Sequence, residues 1–451
     1  MTERAALLGE VSRRLGTRKL VWAGIRGDDI EPLADLPQLA SSFSLAGAYN
    51  RRSSVTGVAY ENISGVRVDP EIWDIDDHLH DEATIEFRQG LLRALAAHSA
   101  LLPYRPSQFL SAIHFARRDR CLNLGLFAAQ QSAFEHKPWV ESSVADLGVP
   151  SLRWTYVADE EQLSAGELAD HGPVILRRSR TSGGEGFIRA ENADDLVRKW
   201  PHVDEAFVSV APFLTDTVPV NIGATVWADG VTVHRPSVQL IGIPSCVTRP
   251  FGYCGNDFGM TRDLDPEIIE QVEESTQTIG MWLRTNGYLG TFGVDFLVHQ
   301  GVPLFTEVNP RFQGSTHASA RLSIGEGEAC LLLEHIAARL GIACPKRRPL
   351  RTAVAETPEL AHLVVHWTGT AQADLDVIKL ADALLEIAPG GRADVMAGPG
   401  VRFDPGAAVV RFTLPQRITS GGFDLDSRVQ DAIASWNSSQ ASRSLRTSTF
   451  G

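Results

Sequence analysis

GYLGTFGVDFLVHQGVPLFTEVNPRFQGS, residues 287 to 315, decides how the rest of this chain is read. Two apolar runs, GTFGVDFLV and PLFTEVNP, are joined by His299-Gln300-Gly301, a pattern that predicts an antiparallel hairpin. In a strand alternate side chains share a face, so Glu307 and Asn309 project together, and Asp295 on the paired strand can face them. Three hard oxygen donors converging in this way suit Mg²⁺, which takes carboxylates completed by water and phosphate oxygens. Arg311, two residues further on, falls on the same side and can hold a phosphate or an acyl phosphate. The same residues would also make a structural ion-pair network at a hairpin end, and this segment alone leaves both readings open.

Upstream, PVILRRSRTSGGEGFIRA (173 to 190) places two apolar runs around a glycine-rich turn, the pattern of a second hairpin with a flexible tip. Backbone N–H groups of Thr181-Ser182-Gly183-Gly184-Glu185-Gly186, unobstructed by Cβ atoms, can close over a polyphosphate. This is not a P-loop, because the chain contains no GxxxxGK[ST] and no Gly-Lys dipeptide. Cations come from elsewhere: Lys137 opens a helix that Gly148 ends, and Arg177, beside Arg178, stands on the strand leading into the glycine turn. For Lys137 taken alone, a solvated surface lysine is the simpler reading.

The flanking chain supplies a multidomain α/β and α+β frame. Residues 4 to 15 read as an amphipathic helix, and KLVWAG (19 to 24) as a buried parallel strand. Helices are expected near 84–98, 107–117, 265–285 and 327–340, with strands at 152–157, 207–214, 221–233, 238–243 and AVVRFTL. VTRPFGYCGNDFGMTR reads as an ordered loop, and NSSQASRSLRTSTFG as a polar, mobile tail. The composition, 43% hydrophobic and 22% charged over 451 residues, is that of a folded globular protein and excludes a disordered or collagenous one. A net charge of -13 argues against nucleic acid or an anionic membrane as the main partner. The five scattered cysteines suggest neither a disulfide framework nor a zinc site. With no signal-peptide core and no run of about 20 apolar residues, the expected location is the cytoplasm.

The order Lys137, Arg177 with its glycine turn, the apolar segment Val210 to Leu214, Asp295 and then Glu-Val-Asn-Pro-Arg resembles the ATP-grasp superfamily over roughly residues 136 to 345. That resemblance implies a pre-ATP-grasp α/β domain at 1–135 and a two-lobed ATP-grasp domain at 136–345, with lobes at 136–212 and 213–345. It also implies a small C-terminal α/β domain at 346–451. It further implies ATP and Mg²⁺, and a ligase that joins a carboxylate to an amine through an acyl phosphate. In the family's terms Lys137, Arg177, Ser182, Gly183, Gly184 and Gly186 hold the phosphates. Val210, Ala211, Phe213 and Leu214 form the adenine hinge. Asp295, Glu307 and Asn309 bind Mg²⁺, with Glu307, Asn309 and Arg311 at the transferring phosphoryl group. Two positions depart from the family: Arg177 stands where lysine is usual, and Ala211 and Pro219 stand where acidic hinge and ribose contacts are usual, leaving Asp216 or Asn221 for the ribose.

Within the superfamily the chain looks most like pheganomycin-type peptide ligases of natural-product pathways. This implies a nonproteinogenic amino acid as carboxylate donor, a peptide or amino acid as acceptor, and a homodimer. Arg249 and Arg321 are candidates for a substrate carboxylate, though ordinary structural arginines would look the same. A carboxylase or kinase of the same superfamily and a nonenzymatic nucleotide-binding protein are the competing functions. The run DIDDHLHDE, Asp74 to Glu82, reads as a solvated acidic loop rather than a metal site, and His317 as a capping or packing residue.

Overall fold

The computed structural model describes residues 2–47, 55–68, 73–96, 98–158, 161–162, 165–178, 184, 186–201, 206–396 and 401–448, without side chains at 128 and beyond 440. The amphipathic helix Glu3–Leu15, capped by the Thr2 hydroxyl, leads into the strand Lys19–Arg26. That strand lies between Leu39–Ala46 and Ser99–Pro103 in a five-stranded parallel sheet, completed by Thr56–Ala59 and Cys121–Asn123. Its Leu20, Val21, Trp22 and Ala23 are all buried, as a parallel strand covered on both faces requires.

The glycine-turn hairpin belongs to a four-stranded antiparallel sheet in the order Thr155–Val157, Val208–Pro212, Val174–Arg177, Ile188–Ala190. A larger sheet carries the 287–315 hairpin. Its strands run Val302–Asn309, Gly290–His299, Thr217–Val226, Ser237–Ile241, Tyr253–Asp257, Ala361–His366, Ala408–Leu414 and Arg392–Val395, with Val231–Val233 also paired to Thr217–Val226. The helix Pro266–Thr285 packs behind it through Ile269, Val272, Thr276, Ile279 and Leu283, spaced at the helical period. Each buried aliphatic of that stripe contributes about 2 kcal/mol.

Three expectations are corrected. The stretch 247–262 is not a loop throughout, because Tyr253–Asp257 is an inner strand, paired on one side with Ser237–Ile241 and on the other with Ala361–His366. Its Gly255 has φ +134, and a Cβ there would stand 1.9 Å from the His362 carbonyl oxygen, so the crossing tolerates no side chain. The tail from 437 is helical to Ser448, continuing the helix that starts at Ser427. The acidic run is not merely solvated: the Asp76 carboxylate accepts from the Gln108 and Phe109 N–H groups at 2.7 and 2.9 Å, at the start of the helix Gln108–Ala116, and Asp74 pairs with Arg105 at 2.7 Å. It serves as a helix cap.

The large sheet runs without a break past residue 345, and one apolar cluster joins Leu240, Ile243, Cys246 and Cys254 to Leu363, Phe412 and Trp436. Another joins Trp22 and Leu102 of the parallel sheet to the helix Leu331–Arg339. No helix among the described residues is long and apolar enough to cross a membrane.

Candidate active site

A cleft of about 460 Å³ opens where the two antiparallel sheets and the parallel sheet meet. Its floor is the hairpin 290–309. Asp295 and Glu307 are directly opposed across that hairpin, and Gly293 opposes Asn309. Between Glu307 and Phe305 the register slips by one residue, making Thr306 a β-bulge whose hydroxyl donates to the Asp295 carbonyl at 3.0 Å. The slip changes the phase of the strand. Phe305 and Val308 point into the core, while Thr306, Glu307 and Asn309 line the cleft.

Asp295 is buried within a fan of amides. Its Oδ1 accepts from Asn221 at 2.6 Å and Gln239 at 3.2 Å, and its Oδ2 from Asn309 at 3.0 Å. Burial, and then the opposed Glu307, push its pKa up to about 7. Glu307 goes the other way. Burial raises its pKa, but Lys137, with Nζ 2.7 Å from Glu307 Oε1, outweighs burial and holds the carboxyl below its usual range. Two opposed carboxylates with divergent proton affinities are relieved by a divalent cation, and the set of two carboxylates and an amide suits a hard ion that takes its remaining oxygens from water and phosphate. Among the described residues no group of three or more His, Cys, Asp or Glu side chains could hold a metal by itself. Arg311 closes this end, donating to Asn309 Oδ1 at 3.1 Å and to the Phe312 carbonyl at 3.2 Å.

Lys137 is buried at the start of the helix Lys137–Asp146, so the surface reading does not hold for it. Arg177 ends its strand with its guanidinium 3.8 Å from the Trp154 ring centre and pairs with Glu141, whose other oxygen accepts from the Tyr156 hydroxyl at 2.8 Å. A planar guanidinium can stack and pair at once where an ammonium cannot, which accounts for arginine at this position. Ser182 and Gly183 lie outside the described residues. Gly184 (φ +79) and Gly186 (φ +73) have left-handed backbones, and Gly184 docks so closely that a Cβ would lie 1.7 Å from the Phe251 carbonyl oxygen.

Val210 is paired on both edges, with Thr155 and Leu176, and its side chain is in the core; Ala211 is buried against Ile175. Neither lines the cleft, whose wall there is Pro212, Phe213 and Leu214. Asn221 is spoken for by Asp295 and by the Ser315 hydroxyl, which donates to its Oδ1 at 3.0 Å. Asp216 is exposed in a turn. Arg249 and Arg321 are not among the cleft-lining residues. Sequence reasoning missed Trp154, Gln239, Tyr253, Asn256, His362 and Arg411, all of which line it. A lone glutamine inside the apolar run SVQLI was the one available signal.

Residues 149–315 match the ATP-grasp domain family. The chain carries an ATP-grasp domain. It is 22% identical over 279 and 244 residues to formate-dependent phosphoribosylglycinamide formyltransferases of two Synechococcus strains, covering 59% and 51% of this chain and 67% and 58% of theirs. The chain thus spans about two thirds or less of these relatives. In fold it resembles N5-carboxyaminoimidazole synthase from Aspergillus clavatus, solved with ADP and its aminoimidazole ribonucleotide, with a TM-score of 0.59, 11% identity, and 93% of this chain and 99% of that one covered. Biotin carboxylase from Campylobacter jejuni, solved with an ATP analogue, gives a TM-score of 0.60 at 14% identity, covering 93% of this chain and 95% of that one. The fold is therefore a mixed α/β multidomain one with an ATP-grasp domain at 149–315.

Proposed function

We propose that this protein is an ATP- and Mg²⁺-dependent carboxylate–amine ligase that forms an amide through an acyl phosphate. In the finer form of this reading, the donor is a nonproteinogenic amino acid and the acceptor a peptide or amino acid of a natural-product pathway. The observation that carries it is the meeting of opposed Asp295 and Glu307 with Asn309, Arg311 and the buried Arg177 along one cleft, and the buried Lys137 paired to Glu307 at 2.7 Å. Asp295, Glu307 and Asn309 would hold Mg²⁺, which supplies charge neutralisation for the phosphates. Lys137 and Arg177 orient the polyphosphate beneath Gly184 and Gly186, and the wall Pro212 to Leu214 receives the base. Arg311 faces the acid and the phosphoryl group passing to it, where fixed positive charge stabilises the spread negative charge. The sequential domain division given above, including the boundary near 345, is part of the same proposal.

The test is ADP release in the presence of Mg²⁺, ATP, candidate acids and candidate amines or peptides. Release that requires both substrates supports the ligase; AMP and pyrophosphate as products overturn it. A carboxylase is the second reading, favoured by the fold-level likeness to two carboxylating enzymes, and a bicarbonate requirement would select it.

A further inference from the structure

The cleft does not end at Arg311. It continues past Trp22, Tyr104 and Phe312, whose ring centres lie 6.1 Å apart pairwise, to a region built by three separate parts of the chain. These are the end of the strand Lys19–Arg26, the first turn of the helix Thr316–Gly325, and the strand Ala361–His366. A polar row on the large sheet connects the two ends: Asp295 is registered with Asn221, Gln239 with Asn256, and Asn256 with His362.

The charges at this far end fall into two sets. Arg411 is neutralised by Asp29 at 2.9 Å and Asp28 at 3.0 Å, with Asp394 at 3.7 Å. Arg392 is held by Glu31 at 2.8 Å and Asp394 at 2.6 Å. In the second set only His317 has a charged neighbour, Glu31, which Arg392 already holds. Arg26 lines the cleft, and no hydrogen bond or ion pair holds its guanidinium within the described residues. His317 is 3% exposed and neither ring nitrogen has a hydrogen-bond partner, its Nε2 standing 3.8 Å from Glu31, at ion-pair distance but beyond a hydrogen bond. His362 is 1% exposed and its Nδ1 is likewise without a partner. Burial, and then the charges of Arg411, His317 and Arg26, hold the His362 pKa far below its usual value, so these groups sit close enough to repel. Buried polar atoms left in this state are costly unless a ligand completes them, and two acceptor oxygens with a negative charge complete an arginine fork and imidazole N–H groups together.

We propose that Arg26, His317 and His362 anchor a substrate carboxylate that does not react, while the reacting acid lies at Arg311. The assignment rests on the ligase reading for its meaning. The anchored group is a carboxylate from one of two sources: a second acid group on the donor, or the free carboxylate of an amino acid or peptide acceptor. The rings of Trp22, Tyr104 and Phe312 give it an apolar body.

Anchoring can be tested without turnover. The full chain labelled with ¹⁵N-histidine is titrated with 3-phenylpropionate and with the uncharged 3-phenylpropionamide, the His317 and His362 resonances being assigned through His317→Gln and His362→Gln. The acid should shift both resonances and the amide neither, and Arg26→Gln should weaken the response to the acid about tenfold. No response to the acid, or an equal response to both compounds, overturns the proposal. Turnover then distinguishes the sources. Replacing the free carboxylate by a carboxamide should raise KM about 10- to 100-fold either in the donor series or in the acceptor series, with kcat little changed; no change in either series overturns it. If no pair of substrates yields ADP, the ligase reading falls while the anchor is still judged by the titration.

Discussion

Asp295 occupies a position that costs stability whenever its carboxyl is ionised. Burial, and then Glu307 opposite it, raise its pKa from 3.8 to about 7 against the pull of Asn221, Lys137 and Arg311. An acid whose folded pKa lies above its unfolded one stabilises the fold below the unfolded value, and that contribution is lost as pH rises through the folded value. Between about pH 5 and about pH 8.5 the folded carboxyl gives up a proton that the unfolded chain has already lost, which amounts to about 2–3 kcal/mol. Asp295→Asn removes the titration and keeps the side chain's shape, at the cost of one reversed hydrogen bond to Asn309. Urea unfolding of both proteins at the two pH values, without divalent cations, measures the effect. Groups that titrate elsewhere are shared and cancel in the difference. The stability of the variant relative to the native chain should rise by about 2–3 kcal/mol from the lower pH to the higher, while the ADP formation expected of the proposed ligase is lost. Parallel pH profiles would refute the account of a strained carboxylate pair.

Three further outcomes are expected. Glu307→Gln should lower ADP formation by at least about 100- to 1,000-fold with its circular dichroism unchanged, since the amide can still accept from Lys137; native turnover would remove Glu307 from the mechanism. Gly184→Ala should push residue 184 off the Phe251 carbonyl and reduce kcat/KM for ATP about 10- to 100-fold, with little loss of stability because the contact is local; an unchanged kcat/KM would separate this docking from nucleotide binding. His335 accepts from the Thr291 N–H at 3.0 Å and donates from Nε2 to the Leu124 carbonyl at 2.5 Å, and burial followed by Arg339 depresses its pKa from 6.5 to about 3. Its contribution is therefore full above pH 6.5 and is lost as pH falls toward 3. Glu334, brought to about 2 by Arg347 and His234 against burial, adds a loss below its ordinary 4.5. The thermal midpoint of His335→Gln should accordingly fall less steeply in acid than that of the native chain, and equal slopes would count against this linkage.

Elements whose information is local were legible in the sequence. KLVWAG is apolar from Leu20 onward and is a doubly covered parallel strand; PEIIEQVEESTQTIGMWLRT follows its cap Asp265 and carries its own stripe; Gln300-Gly301, with φ of 50 and 81, makes the two-residue turn that its neighbours suggested. The strand Tyr253–Asp257 was not legible because Gly-Asn-Asp has little β-propensity and the partner at Ala361–His366 is more than a hundred residues away. The same separation hid the far end of the cleft. Arg26, His317 and His362 each look ordinary in sequence, and only the packing of the parallel sheet and the helix Thr316–Gly325 against the large sheet brings them together.

The hairpin that carries Asp295 and Glu307 was also only partly legible. Alternation correctly puts Glu307 and Asn309 on one face, but alternation continued from the buried Phe305 would turn that face into the core. The bulge at Thr306 is what reverses it. One extra residue, fastened by its hydroxyl to the Asp295 carbonyl, lets a strand begin as part of the hydrophobic core and end as the oxygen-rich wall of a cleft. Sequence periodicity thus identifies which side chains travel together, whereas the direction they face depends on a register defect that has no composition of its own. Because Asp295, Glu307 and Asn309 are oriented by backbone pairing rather than by flexible side-chain reach, the wall is rigid before any ligand arrives, and that rigidity is what electrostatic preorganisation requires of it.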